Sequence, residues 1–167
     1  MISEKDFFNQ DFATHGIIEK DDYQASCRVK AGWQAIQVRD DKNSAYIREK
    51  LRNLVYDMRY EYKQKNGHVK GIYALTDDCC KVPANTLKAI FNGKNALTRR
   101  ILAKICVGYK LGVDRANEFF LLVDGALNLT NDFDYITYHA LKDGDDIDSF
   151  IKEVYTYLKV DLSQSSR

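Results

Sequence analysis

A chain of 167 residues and 19.3 kDa is long enough to bury one sizeable core, and 45% hydrophobic against 29% charged residues excludes a disordered tail. One proline, Pro83, nine scattered glycines and many Leu, Ala, Lys, Glu and Tyr residues favour helices over a turn-rich β-sandwich, and an all-α fold is the expectation. The net charge of +1 is uninformative until the chain is cut into segments.

Residues 1–43 contain the apolar anchors Phe7, Phe8, Phe12, Tyr23 and Trp33, but CRVKAGWQAIQV follows neither the helical nor the strand period cleanly; helix is the expectation there. A break is expected at RDDKNS, with Ser44 as N-cap of a long amphipathic helix. Ile47, Leu51, Leu54, Val55, Met58 and Tyr62 recur at three- and four-residue steps, while Arg48, Arg52, Arg59, Lys63 and Lys65 lie mostly off that stripe. Asn66-Gly67 supplies the stop. A short helix from about Gly71 to Cys80 should bury Ile72, Leu75 and Cys79, and Lys81-Val82-Pro83 forms a tight turn. Proline suits a first helical turn, so the next helix starts with Ala84, Asn85 and Thr86 and runs to Asn92, where Gly93 ends it.

A fourth segment, Thr98 to Leu111, turns Ile101, Leu102, Ile105, Cys106 and Tyr109 inward, with Gly112 as the stop. The helix that begins at Asp114 carries the stripe Ala116, Phe119, Phe120 and Val123. After the ALNLTND loop, Phe133, Ile136 and Ala140 mark one more helix, and Ile147, Phe150, Ile151, Val154 and Leu158 the last, before the SQSSR end. The division that follows is 1–43, an aromatic N-terminal segment; 44–124, the central domain; and 125–167, an acidic helical extension.

Cutting the chain near RDDKNS and at the LGVD turn separates charge sharply. Residues 1–43 hold 6 basic and 8 acidic side chains, residues 44–112 hold 14 and 5, and residues 113–167 hold 5 and 11. A +9 block beside a −6 block is what a nucleic-acid-binding unit with an attached acidic interaction unit would show; a basic solvated face is the plainer reading. No run approaches the 18 apolar residues a membrane span needs, and MISEKDFFNQ carries charge where a signal peptide carries its apolar region, so no membrane partner and a cytoplasmic location are expected. Cys27, Cys79, Cys80 and Cys106 have no framework spacing, which fits a reducing compartment.

Chemistry by a catalytic constellation finds little support. His15, His68 and His139 are scattered, and the chain contains no G-x-S-x-G, phosphate-binding or dinucleotide-binding motif, so it is read as a non-enzyme without cofactor. Cys79-Cys80 lacks zinc spacing, and Cys79 in the core with Cys80 partly exposed is the expectation. DGDDID (143–148) misplaces the glycine of a calcium loop and puts Ile147 at a ligand position, so it reads as a turn and an N-cap. The tyrosines of DMRYEYKQKNGH offer a stacking surface for single-stranded nucleic acid, though Met58 and Tyr62 continue the apolar stripe.

The informative stretch is IYALTDDCCKVPANTLKAIFNGKNALTRRILAKICVGYKLGV: two short helices joined by a tight turn with a longer one behind. In the second helix Leu87 and Ile90 face inward with Val82 plugging the turn, leaving Ala84, Asn85, Lys88, Ala89 and Asn92 outside. Asn pairs bidentately with adenine, Lys donates to guanine and Ala meets a thymine methyl, so this set is chemically able to read base edges.

VPANTLKAIFNGK resembles the turn and recognition helix of the Cro/phage-repressor-like helix-turn-helix family, on the pattern V-P-x-x-T-L-x-x-I-x-x-G-K. The resemblance extends over roughly residues 47–158, including RRILAKICVGYKLGVDRANEFFLL and a tail like FDYITYHALKDGDDIDSFIKEVYTYL. It implies a lambda-repressor-like bundle with added N- and C-terminal helices, and a bacterial or phage transcriptional regulator that binds double-stranded DNA. It further implies that Asn92, Lys94, Asn95, Thr98, Arg99 and Arg100 hold phosphates, with Lys88 and Asn85 reading bases. Paired half-sites would require a homodimer through the C-terminal helices. The family's small residue falls near Thr76-Asp77 here, and Lys81 stands in place of the turn glycine. Asp77 and Asp78, which would lie near phosphate, motivate the alternative: a protein-interaction module on the same scaffold, binding a partner through its acidic C-terminal or aromatic N-terminal segment.

Overall fold

The structure is a computed structural model that describes residues 20–163, with side chains for 32–35 and 42–163. Phe7, Phe8, Phe12 and His15 lie outside the described residues, as do the side chains of Tyr23 and Cys27 and the end beyond Ser163. The described residues are all-helical, with seven helices and no strand: α1 (Lys20–Asn66), α2 (Ile72–Cys80), α3 (Ala84–Phe91), α4 (Arg99–Gly108), α5 (Val113–Val123), α6 (Asp132–Asp143) and α7 (Ile147–Leu158). The chain divides into two compact units between Tyr46 and Ile47.

In the first unit, the backbone from Lys20 onward is α1, and Ser44 lies inside that helix instead of capping a new one. The expected break at RDDKNS is therefore absent. Its Arg and Lys residues are good helix formers, its Asp, Asn and Ser residues are only mildly unfavourable in a helix, and neither glycine nor proline occurs between Trp33 and Asn66 to end it.

The second unit is built around α4. Every residue from Ile101 to Val107 is buried, because α2, α5, α6 and α7 all pack on this helix. A stretch covered on every side must be apolar all round, and residues 101–107 are so except for Lys104, whereas Arg99 and Arg100 of the first turn lie outside it. Burial lowers the pKa of that ammonium. The stripe of α1 at Leu51, Leu54, Val55 and Met58 closes one side of the core, and Phe120 of α5 and Phe150 of α7 fill it. Helices α6 and α7 pack on each other and share this core, so the acidic C-terminal third belongs to the same folded body as α2–α4.

The helix ends have local causes. Gly67 ends α1 with φ 74° and an N–H donated to the Lys63 carbonyl at 2.7 Å. The side chains of Thr98, Asn131 and Asp146 accept from Ile101, Asp134 and Ser149 N–H groups and cap α4, α6 and α7. Gly112, expected to stop α4, instead precedes α5 with φ −65°; the left-handed residue is Lys110 at φ 54°. Gly108 has a different task. A Cβ there would strike the Cys79 carbonyl oxygen and lie 2.5 Å from Cys80 Cα, so only glycine lets α4 cross the end of α2 this closely.

That crossing sets the cysteines. Cys80 is fully buried, its Sγ 3.6 Å from the Ile105 carbonyl, and Cys79 is half-buried, the reverse of the sequence expectation. The buried face of α2 runs Ile72, Leu75, Thr76, Cys80, one residue out of phase with a stripe ending at Cys79. Thr76 is the polar member, and its hydroxyl is 2.6 Å from that of Tyr109.

Candidate nucleic-acid interface

Helices α2 and α3 are separated by three residues, Lys81, Val82 and Pro83. Lys81 adopts the left-handed conformation, φ 56° and ψ 35°, and donates its N–H to the Asp77 carbonyl at 3.0 Å. A β-carbon is disfavoured there, which is why glycine is common at a left-handed helix C-cap. Val82 is 1% exposed and plugs the space between the two helices. Pro83 occupies the N-cap position of α3 and provides no side-chain acceptor, so the first amides of α3 are left for solvent or an anion.

Along α3, Leu87, Ile90 and Phe91 are buried, while Asn85, Lys88 and Asn92 are exposed and Ala84 and Ala89 are half-buried. The exposed residues provide amide and ammonium groups to one outer face. The Lys88 ammonium lies 5.1 Å from the ring centre of Tyr73 on α2, and Tyr73 leans on Phe91 with centroids 6.1 Å apart. Lys88 is thus steered by an aromatic face while its charge stays in water.

After α3, Gly93 takes φ 75°, and the amides of Lys94 and Asn95 bond to the Ala89 carbonyl at 2.9 and 3.2 Å, which tightens the loop. Asn92, Lys94 and Asn95 are exposed on it, and Arg100 is exposed in the first turn of α4. A cation in a first turn opposes the helix dipole, so Arg100 gains nothing from its own helix and is available to an external anion. Thr98 is half-buried and engaged as the N-cap of α4.

Arg99 is committed elsewhere. Its Nε and Nη2 donate to Asp134 at 2.9 and 2.6 Å, Nη1 donates to the Gly125 carbonyl at 2.9 Å and Nη2 to that of Ala126 at 3.1 Å. The guanidinium also stacks 4.8 Å from the Phe120 ring centre. Only a donor position or so remains, and the charge is matched by Asp134, so Arg99 has no free fork for a phosphate. The phosphate role that the family resemblance implies for Arg99 therefore loses its chemical basis.

Two cations that the sequence reading left as off-stripe residues enter instead. Arg52 of α1 lies 5.0 Å from the Phe91 ring centre with Nη2 3.5 Å from the Phe91 carbonyl, and the Arg48 guanidinium borders Gly93 within 3.5 Å of where a Cβ would stand. Their four-residue spacing was the available signal, since it puts both on one helix face; the loop they reach is some 40 residues away in sequence. Arg59, by contrast, donates to the Lys70 carbonyl at 2.8 Å and holds the connection between α1 and α2.

Of the two carboxylates near this face, Asp78 is paired with Lys70 at 2.6 Å, both side chains exposed, and Asp77 is exposed at the end of α2. The pair places a cation against one of the two negative charges, though an exposed pair contributes little to stability. No family model matches this chain, and neither a curated protein nor a solved structure is significantly similar to it.

Proposed function

We propose that the α2–turn–α3 unit is a lambda-repressor-like helix-turn-helix that binds double-stranded DNA in a sequence-specific manner, and that the protein is a transcriptional regulator. The observation that carries this reading is the outer face of α3: Asn85 and Lys88 are exposed on a helix whose other side is packed, Asn92 is exposed at its C-cap, and Lys94, Asn95 and Arg100 follow on the adjoining loop and turn. The division of labour is direct. Asn85 and Lys88 read base edges, with Ala84 and Ala89 small enough to let the helix approach, while Asn92, Lys94, Asn95, Arg100, Arg48 and Arg52 hold phosphates and fix register. Thr98 acts by capping the helix that presents Arg100, and Arg99 by anchoring it.

The test is fluorescence anisotropy of the full chain with a random duplex pool at two salt concentrations, followed by selection of the bound fraction. The expected result is binding that weakens steeply with salt and enriches one sequence. Absence of binding at low salt overturns the reading. A twofold-symmetric selected site would indicate paired half-sites and a homodimer; a monomeric mass by light scattering at micromolar concentration would remove the homodimer alone.

A second reading rests on Asp77, an exposed carboxylate at the end of α2. On it, the same scaffold binds a protein, and the random pool returns no bound fraction at any salt concentration.

A further inference from the structure

Helices α6 and α7 enclose a cleft of about 580 Å³ whose rim chemistry is one-sided. Asp132 and Asp143 stand at the two ends of α6, Glu153 faces them from α7, and no lysine or arginine lines the cleft. None of these three carboxylates takes part in an ion pair or hydrogen bond among the described residues. Aromatic rings supply the walls. Tyr135 and His139 lie with centroids 4.5 Å apart, and Tyr157 is 72% exposed. The floor is Ile136 and Leu158.

Three unneutralised carboxylates beside open π-faces attract the same thing, a cation with an apolar stem. Asp143 also sits at the C-terminal end of α6, where the helix dipole adds further negative potential. The volume lies in the range of ligand sites, well short of what a folded domain needs. The span from Asp132 to Asp143 along α6 is about 16 Å at the rise of a helix, the length of roughly five extended residues.

We infer that the α6/α7 cleft binds an extended Lys/Arg-bearing peptide segment of a partner protein, its ammonium or guanidinium groups set against Asp132, Asp143 and Glu153 and stacked on Tyr135 and Tyr157. The stems lie over Ile136 and Leu158. This site is on different helices from the α3 face and does not depend on the DNA-binding reading.

The experiment is anisotropy of a labelled, acetylated peptide of alternating arginine and alanine, titrated with the full chain in the absence of nucleic acid. Binding is expected, absent for the same peptide with glutamate in place of arginine. Tyr157→Ala should weaken it about two- to fivefold, as loss of an exposed cation–π contact does, and Glu153→Gln with Asp143→Asn should weaken it further. Asp148→Asn, which removes an exposed carboxylate of α7 outside the cleft, should leave it unchanged. A linear triamine supplies the same cationic groups without a peptide; failure to displace the labelled peptide at matched charge concentration supports the peptide as occupant, and full displacement overturns it in favour of a free amine. No peptide binding, or an equal loss in Asp148→Asn and the cleft variants, overturns the site altogether.

Discussion

Arg99 and Asp134 lie 35 residues apart and are joined by two parallel hydrogen bonds of 2.9 and 2.6 Å, with the Asp134 side chain 4% exposed. Asp134 also accepts the Asn128 N–H at 2.9 Å, and Arg99 holds the Gly125 and Ala126 carbonyls. One bidentate pair therefore fastens the start of α4, the loop after α5 and the start of α6. Removing one partner leaves the other charged and largely buried, so Arg99→Ala and Asp134→Asn should each lose about 1.5–3 kcal/mol in urea unfolding.

The same pair produces a pH dependence. Burial alone would raise the Asp134 pKa, but hydrogen bonds from Arg99 and the Asn128 amide outweigh it and hold the carboxyl below its ordinary 3.8. A carboxyl with a depressed folded pKa contributes stability that is complete above the unfolded value and lost as pH falls through the folded one. Wild-type stability should therefore drop on acidification below about pH 4, and the part of the drop due to this group should vanish in Asp134→Asn. Urea midpoints of both proteins from neutral pH to strongly acid pH measure it.

Lys81 holds a left-handed conformation that a side chain disfavours. Lys81→Gly should relieve the strain and stabilise by up to about 1 kcal/mol, while Lys81→Val should destabilise. Thermal unfolding of both variants tests the assignment of this turn.

Gly108 lies against the backbone of Cys79 and Cys80, which cannot yield as a flexible side chain would. Gly108→Ala should cost about 1–3 kcal/mol, although alanine is the better helix former. A neutral or stabilising result in calorimetry would contradict the close crossing of α2 and α4.

On the proposed DNA face, Lys88→Ala or Asn85→Ala should cost about 1–3 kcal/mol on a selected site and relax its specificity. Arg100→Ala and Lys94→Ala should weaken all sequences alike and lower the salt slope by about one each. Arg99→Ala, which removes a guanidinium engaged by Asp134, should lower stability yet leave the salt slope at its wild-type value. If Lys88→Ala binds the selected site as tightly as wild type, α3 is not the reading helix.

The positions of most helices were legible because they rest on neighbours in the chain: the stripe through Leu51, Leu54, Val55 and Met58, the stop at Gly67, the alternation of Leu87 and Ile90 with Asn85 and Lys88, and the cap at Asp146. Periodicity reports which residues lie on one face of one helix, and that much is local. It does not report which face another helix covers. Cys80 displaced Cys79 from the core because α4 crosses α2 at Gly108, and RDDKNS stayed helical because polar residues alone do not end a helix. Arg99 looked like its neighbour Arg100 until Asp134 was brought beside it. The carboxylates of Asp132, Asp143 and Glu153 form one cleft only because α6 and α7 fold together. Sequence alone determined most of the helices and the polar set on α3; tertiary packing decided which charges are paired and which are left facing solvent, because charge pairing depends on distances that close only when remote segments meet.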